Sequence, residues 1–246
     1  MRKLFLLILL VLLYYGCDEN TVSTLRYEAE ATESDIINLT TQTLLIIYDT
    51  NGTITITSSD TTSKLYYNIL KKVESNLSES DAQSHLSDIN ITVEEKVGNI
   101  KFDVNHPTSQ DRDYLINFDI VLPHHIYSSI ALGNGNIILE STTRSALINL
   151  GNGNATTDLT LEDTCAVAIA VGNGNIDFTV PDNTNANLTA SAGNGTITNN
   201  ELNFTNQQSS NNQFSGTLGN GAGSIVLNIG NGNIVMNKKW IMTLLI

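Results

Sequence analysis

Glu140, Asp158, Glu162, Asp163, Asp177 and Asp182 are the carboxylates that a sugar-cleaving or calcium-binding site in the second half of this chain would have to use. Glycoside hydrolysis needs two carboxyl groups flanking one bond, and calcium needs several charged oxygens converging on one point. Counted from the nearest Gly-Asn-Gly-Asn segment, Asp158 and Asp177 stand at different phases, so a regular structure scatters them. His124 and His125 are adjacent, and neighbours on a strand point to opposite faces, which makes a poor metal pair. His85 and His106 stand alone, in an expected helix and loop. The sequence holds no Gly-x-Ser-x-Gly elbow, no phosphate-binding Gly/Lys loop and no Cys/His zinc spacing. These observations point to a chain with no catalytic residues, no metal site and no cofactor. A formal charge of −13, with Lys71-Lys72 and Lys238-Lys239 as the basic pairs, also argues against nucleic acid as a partner, because duplex binding needs a phosphate-neutralising basic face.

Cys17 is the residue whose surroundings do suggest chemistry. Arg2-Lys3 followed by the apolar run Leu4–Leu13 has the form of a secretory leader, and the run is too short to span a membrane. It ends Tyr14-Tyr15-Gly16-Cys17, which resembles the bacterial lipobox, where the Cys is acylated and becomes the mature N-terminus. Gly16 and Cys17 match that motif; Tyr14 and Tyr15 depart from it. The expectation is lipidation at Cys17, with plain secretion as the alternative, and a membrane partner reached through the acyl chains rather than a helix. Residues 1–16 are then a signal peptide and 17–40 a tether that begins polar and shades into strand-like sequence. Cys165 shares the parity of core-facing residues and reads as a small buried hydrophobe.

The elements that would position any site come from a repeat. Gly-Asn-Gly-Asn begins at Gly133, Gly151, Gly172 and Gly230, with Gly-Asn-Gly-Thr at Gly193; the first three intervals are 18, 21 and 21 residues. A fixed period near twenty is the signature of a solenoid. With the first Gly as position 0, apolar or small residues recur at −1, −3 and −5 and again at +4, which places one face of each strand in a core. The expected architecture is all-β: a single-chain parallel β-solenoid with about 20 residues per coil and one short helix in the N-terminal half. Stacked corners would align Asn134, Asn152, Asn173, Asn194 and Asn231 into a ladder of amide hydrogen bonds. A meander of Asn-Gly hairpins is the alternative.

The solenoid is expected over 41–237, irregular in 41–123 and regular in 124–237. Asp49-Thr50-Asn51-Gly52 reads as a first imperfect corner, Ser80-Asp81-Ala82-Gln83 as a capping box starting a helix to about Leu86, and Asn199–Ser224 as one degenerate coil with a loop at 207–212. The tail 238–246 reads either as an apolar cap over the open end or as a gene-boundary artefact.

An acidic Ser78-Glu79-Ser80-Asp81-Ala82 helix, an Arg-x-Tyr-x-Ile-x-Phe-x-Ile-x-x-Pro segment at Arg112–Pro123 and the repeated Gly-Asn-Gly-Asn-Ile corners together resemble the bacterial putative-adhesin domain family, over about Leu44–Asn237. They are also similar to head domains with a Gly-Ile-Asn signature. The resemblance implies an extracytoplasmic β-solenoid on a lipid-anchored envelope protein, at the outer membrane or cell surface. It implies no catalytic residues. Its functional expectation is a surface adhesin or binding scaffold with a glycan or protein ligand. The alternative is a structural or regulatory periplasmic component that associates with a membrane partner or with itself.

Overall fold

The computed structural model of the protein describes residues 26–240. The leader, Cys17 and the tail beyond Trp240 lie outside the described residues. The fold is all-β: one large mixed sheet of fourteen strands that does not close on itself, with one short helix among the described residues.

The repeat region begins with β2 (Leu44–Ser59) and continues through β7 (Tyr127–Thr142), β8 (Ala146–Leu159), β9 (Ala166–Pro181), β10 (Ala186–Asn194), β11 (Ile197–Asn200) and β14 (Gly223–Lys239). Neighbours in this set pair in parallel and in register, so Asn51, Asn134, Asn152, Asn173, Asn231 and Asn194 occupy one line across the sheet. A meander would pair them antiparallel. Burial shows how each long strand runs. In β7, Ser128, Ile130 and Leu132 are buried, then Ile137 and Leu139. Leu132 to Ile137 is an odd step, so a straight strand would send them to opposite faces. The chain therefore bends at Gly-Asn-Gly, and both legs put aliphatics into one cluster. Parallel strands ordinarily need a crossover of about a dozen residues. Here residues 143–145 suffice between β7 and β8, because the bend has already carried the chain round.

Glycine is required at the second Gly of each corner. Gly135, Gly153, Gly174 and Gly232 hold φ between 131° and 142°, a region other L residues rarely adopt. A Cβ on Gly174 would lie 1.7 Å from the Gly153 carbonyl oxygen, and one on Gly232 1.6 Å from that of Gly174.

The order in space departs from the order in sequence. The sheet runs β2-β7-β8-β9-β14-β10, so the last arch inserts between its two predecessors. Packing explains this. Full-length β14 matches β9 from Ser224↔Ala166 to Lys239↔Pro181 and supplies Ile225, Leu227, Ile229, Ile234 and Met236 to the core. The β10–β11 arch offers Leu188, Ala190 and Ala192, and its second leg carries only the half-exposed Ile197 and Asn199. The weaker arch goes to the end of the stack. Asn199–Ser224 is accordingly not a degenerate coil. It supplies β12 (Thr205–Ser209) and β13 (Gln213–Leu218), an antiparallel hairpin whose β13 edge pairs antiparallel with β10. Phe204 and Phe214 meet edge to face at 4.9 Å there, so this hairpin closes that end of the stack. Of the tail 238–246, Lys238 and Lys239 pair inside the sheet with β9, and the residues beyond Trp240 lie outside the described residues.

At the other end the arch partner of β2 is split between two strands. Its first leg pairs with β5 (Asn99–Asn105) and its second with β6 (Arg112–Pro123). From there the sheet turns antiparallel: β4 (Asn90–Lys96) adds to β5, β3 (Lys64–Ser75) to β6, and β1 (Tyr27–Asn38) to β3. The expected tether over 17–40 thus ends where β1 begins, at Tyr27. As an edge strand β1 buries little, here Ala29 and Ile37. The cap of helix α1 (Glu79–Ser84) lies two residues before the expected one: Ser78, not Ser80, accepts from the Asp81 amide.

Candidate functional site

Two amide ladders run along the corners. Asn134 Nδ2 donates to Asn51 Oδ1, Asn152 to Asn134, Asn173 to Asn152, Asn231 to Asn173 and Asn194 to Asn231, at 2.7–2.8 Å. The structure therefore brings all five ladder residues together, with Asn51 added at one end. A second ladder, missed in the sequence reading, uses the fourth residue of each corner: Asn154 donates to Asn136 and Asn175 to Asn154. The signal was present in the second Asn of the same tetrapeptide. A stacked amide donates to one neighbour and accepts from the other, so the interior members are satisfied by one another.

At −1, where other corners carry Leu132, Leu150, Val171 and Ile229, the first arch carries Asp49. Its Oδ1 accepts from the Thr50 amide at 2.7 Å, while Oδ2 is buried without a partner. Burial pushes its pKa from 3.8 up to about 7, against the pull of the Thr50 and Asn51 amides.

Among the described residues, the histidines, Cys165 and most of the carboxylates singled out for chemistry stand apart from one another. Among the described residues no group of three or more His, Cys, Asp and Glu could hold a metal ion. His124 and His125 lie in a turn rather than a strand, and His106 stacks on Tyr114. Cys165 is buried and donates to the Thr143 carbonyl, and burial raises its pKa. Glu140 and Asp158 do become cross-strand neighbours, which phase counting overlooked. Both are engaged: Glu140 accepts from Thr57, and Asp158 pairs with Lys239 at 2.7 Å. Asp81 ties the two family-like motifs together. Arg112 grips both its oxygens at 2.7 Å, and this, with Ser75, holds its pKa down at about 2.

What the arrangement does offer is two unlike surfaces. The second legs face solvent with Glu140, Asp158 and Asp177. Apart from Asp49, at −1 in β2, the first legs carry no charged side chain from β2 to β10. One outward row reads Ile46, Ser129, Leu147, Ala168, Val226, Thr189, and the next Tyr48, Ala131, Asn149, Ala170, Asn228, Ser191. The neutral surface continues onto β13, where Gln213 and Ser215 pair with Ser191 and Thr189. There the hairpin walls a groove of about 470 Å³ lined by hydroxyls and amides together with Ala190 and Phe214, with no charged side chain. Charge resumes at β5, where Lys101 pairs with Asp103 and lies 5.1 Å above the Tyr48 ring.

No protein-family model matches the chain, and no curated protein does. Solved structures are similar to it. A putative cell adhesion protein from Clostridium sporogenes aligns over 86% of this chain and 100% of its own at 18% identity and a TM-score of 0.55. A putative adhesin from Bacteroides fragilis covers 84% of this chain and 97% of its own, and a putative lipid binding protein from Parabacteroides distasonis 85% and 97%; both are 10% identical. Their TM-scores of 0.26 add nothing to the fold assignment. No helix among the described residues is long and apolar enough to cross a membrane. Across nearly all of its described length, the chain has the fold of the putative cell adhesion protein of C. sporogenes.

Proposed function

We propose that this protein is a non-enzymatic adhesion or binding scaffold of the cell envelope, held to the membrane by acyl chains on Cys17. In this reading the parallel arches form a β-solenoid of Gly-Asn-Gly-Asn coils that carries a broad display surface away from the bilayer. The observation that carries it is the fold shared with the putative cell adhesion protein of C. sporogenes over that protein's whole length. The lipobox-like Tyr14-Tyr15-Gly16-Cys17 supports the anchor. The test combines clickable-palmitate labelling, with Cys17→Ala as control, and protease treatment of intact cells. Label on the wild type alone and cleavage of the protein on whole cells are expected. Full protection from protease would overturn surface display.

Protection together with concentration-dependent oligomers would instead favour a periplasmic structural component. The feature pointing that way is β12, an edge strand of Thr, Asn, Gln and Ser, all five exposed, with none of the charge that usually blocks edge pairing.

A further inference from the structure

We propose that the neutral first-leg face is a binding site for an uncharged polysaccharide chain lying across the strands, an inference that rests on the scaffold reading above and names its ligand class. Four features support this occupant.

The first is charge segregation. On a chain of net charge −13, the outward residues of six successive first legs carry none, while the second legs carry Glu140, Asp158 and Asp177. An anionic polymer would need basic residues there, and a basic partner would need acids. The second is the hydrogen-bonding inventory. Ser191, Gln208, Ser210, Gln213 and Ser215 line the hairpin groove. Hydroxyls and amides both donate and accept, which matches a sugar hydroxyl, whereas a charged group does only one. The third is the floor. Ala131 and Ala170 are small and outward, so from Tyr48 across to β9 the surface is shallow enough for flat rings, with Asp49 bordering it at the corner end. The fourth is length. From β2 to β13 there are six strand spacings of about 4.8 Å, or about 29 Å, enough for a run of several sugar rings. A peptide would add to a sheet edge through its backbone rather than cross a face.

The experiment is isothermal titration of the purified protein with cello-, xylo-, manno-, chito- and malto-oligosaccharides from dimer to hexamer. Oligogalacturonate and dextran sulfate serve as charged controls. Binding of at least one neutral series is expected, tightening with length. Ala170→Glu, which places charge on the floor, and Ser191→Trp, which fills the groove, should each weaken it by about tenfold or more. Thr156→Glu on the second-leg face should leave it unchanged. Matching melting temperatures identify variants that remain folded.

Absence of binding by every neutral series would overturn the proposal. So would equal binding of the anionic controls, or full binding by folded Ala170→Glu and Ser191→Trp. Dimerisation abolished by Ala170→Glu without any sugar binding would overturn it too, by making the face a self-interface. Cells carrying Ser191→Trp that still attach while the purified variant binds no sugar would overturn this site as the adhesive one. They would leave the scaffold reading intact.

Discussion

The parallel stack and the antiparallel section beside it solve the same problem, covering a β core, by different means. In the stack, neighbouring arches repeat one another, so like pairs with like: glycine lies over glycine, and asparagine donates to asparagine. In the antiparallel section no residue meets its copy, and cross-strand specificity comes from opposite charges. Lys71 pairs with Glu33 and Lys72 with Glu28 between β3 and β1, while Arg26, just before β1, pairs with Asp113 of β6, and Arg112 of β6 with Asp81 of helix α1. The reason is geometric. In-register parallel copies would set like charges side by side, which is destabilising, so a repeated corner must be neutral. Antiparallel strands of unlike sequence are free to alternate sign. The two regions should therefore fail differently when perturbed.

The largest contrast is expected from a single methyl group. Gly174→Ala places a Cβ 1.7 Å from the Gly153 carbonyl at φ +142°, and neither arch can retreat without opening the ladder. Loss of more than about 4 kcal/mol, seen as failure to recover folded protein or as a collapsed denaturation midpoint, is the expected result. Gly98→Ala, in the β4–β5 turn at φ +87° with no atom within 4 Å of its Cβ, should cost only about 1 kcal/mol. Similar costs at the two sites would mean that the arches are not in contact.

Next in size is Asp49, where the two regions meet. It occupies an apolar column yet is the one carboxylate in it. Because its folded pKa is raised from 3.8 to about 7, protonation favours the fold. The stability is complete below about pH 4 and is lost as pH rises through 7. That gap corresponds to about 4 kcal/mol at full ionisation, and local relaxation brings the expectation to about 2–4 kcal/mol. Asp49→Asn should melt like the wild type at pH 4 and distinctly higher at pH 8. Parallel pH profiles for the two proteins would show that the carboxylate is solvated.

These sites also show what could be read from sequence. The corner tetrapeptide fixes phase, so the buried set at −1, −3 and −5 and the line of Asn residues follow directly from it. Phase says nothing about neighbours. β14 displaces β10 from beside β9 because of summed side-chain volume over whole arches, a property of pairs that no single repeat displays. Strand β1 leaves only a weak pattern because Ala29 and Ile37 alone are buried and its outward positions mix charged residues with Ala31, Thr32, Ser34 and Ile36. The neutral face was written in the sequence at −2 and −4, but it becomes a surface only once the arches are aligned. The hairpin groove depends on an antiparallel return that looked like a decayed repeat.

A smaller effect is expected within the ladder. Asn173 donates to Asn152 and accepts from Asn231, both at 2.7 Å. Asn173→Ala removes two amide bonds at an exposed corner, where water replaces much of what is lost, so about 1–2 kcal/mol is expected by urea denaturation. Because the interaction is neutral, the loss should be the same at 0.05 M and 1 M salt. A salt-dependent loss would mean that charged neighbours set the corner.

Salt itself should separate the two regions by the smallest margin. The pairs Lys71–Glu33 at 2.7 Å and Lys72–Glu28 at 2.9 Å are partly exposed, and such pairs contribute under about 1 kcal/mol each. At 1 M salt the screening length falls to about 3 Å, so their contribution fades. Amide exchange in β1 and β3 should then accelerate modestly, while β8 and β9 stay unchanged. Acid acts on the same region through Asp81. Its carboxyl is held down at about 2 by Arg112 first and Ser75 second, so its contribution persists above pH 3.8 and is lost as pH falls towards 2. Helix α1 should therefore lose protection between about pH 4 and 2 in the wild type. With Arg112→Met that loss should already be present at neutral pH. If α1 in Arg112→Met stayed protected at pH 7, the cap at Ser78 and the burial of Ala82 would be holding the helix without the ion pair.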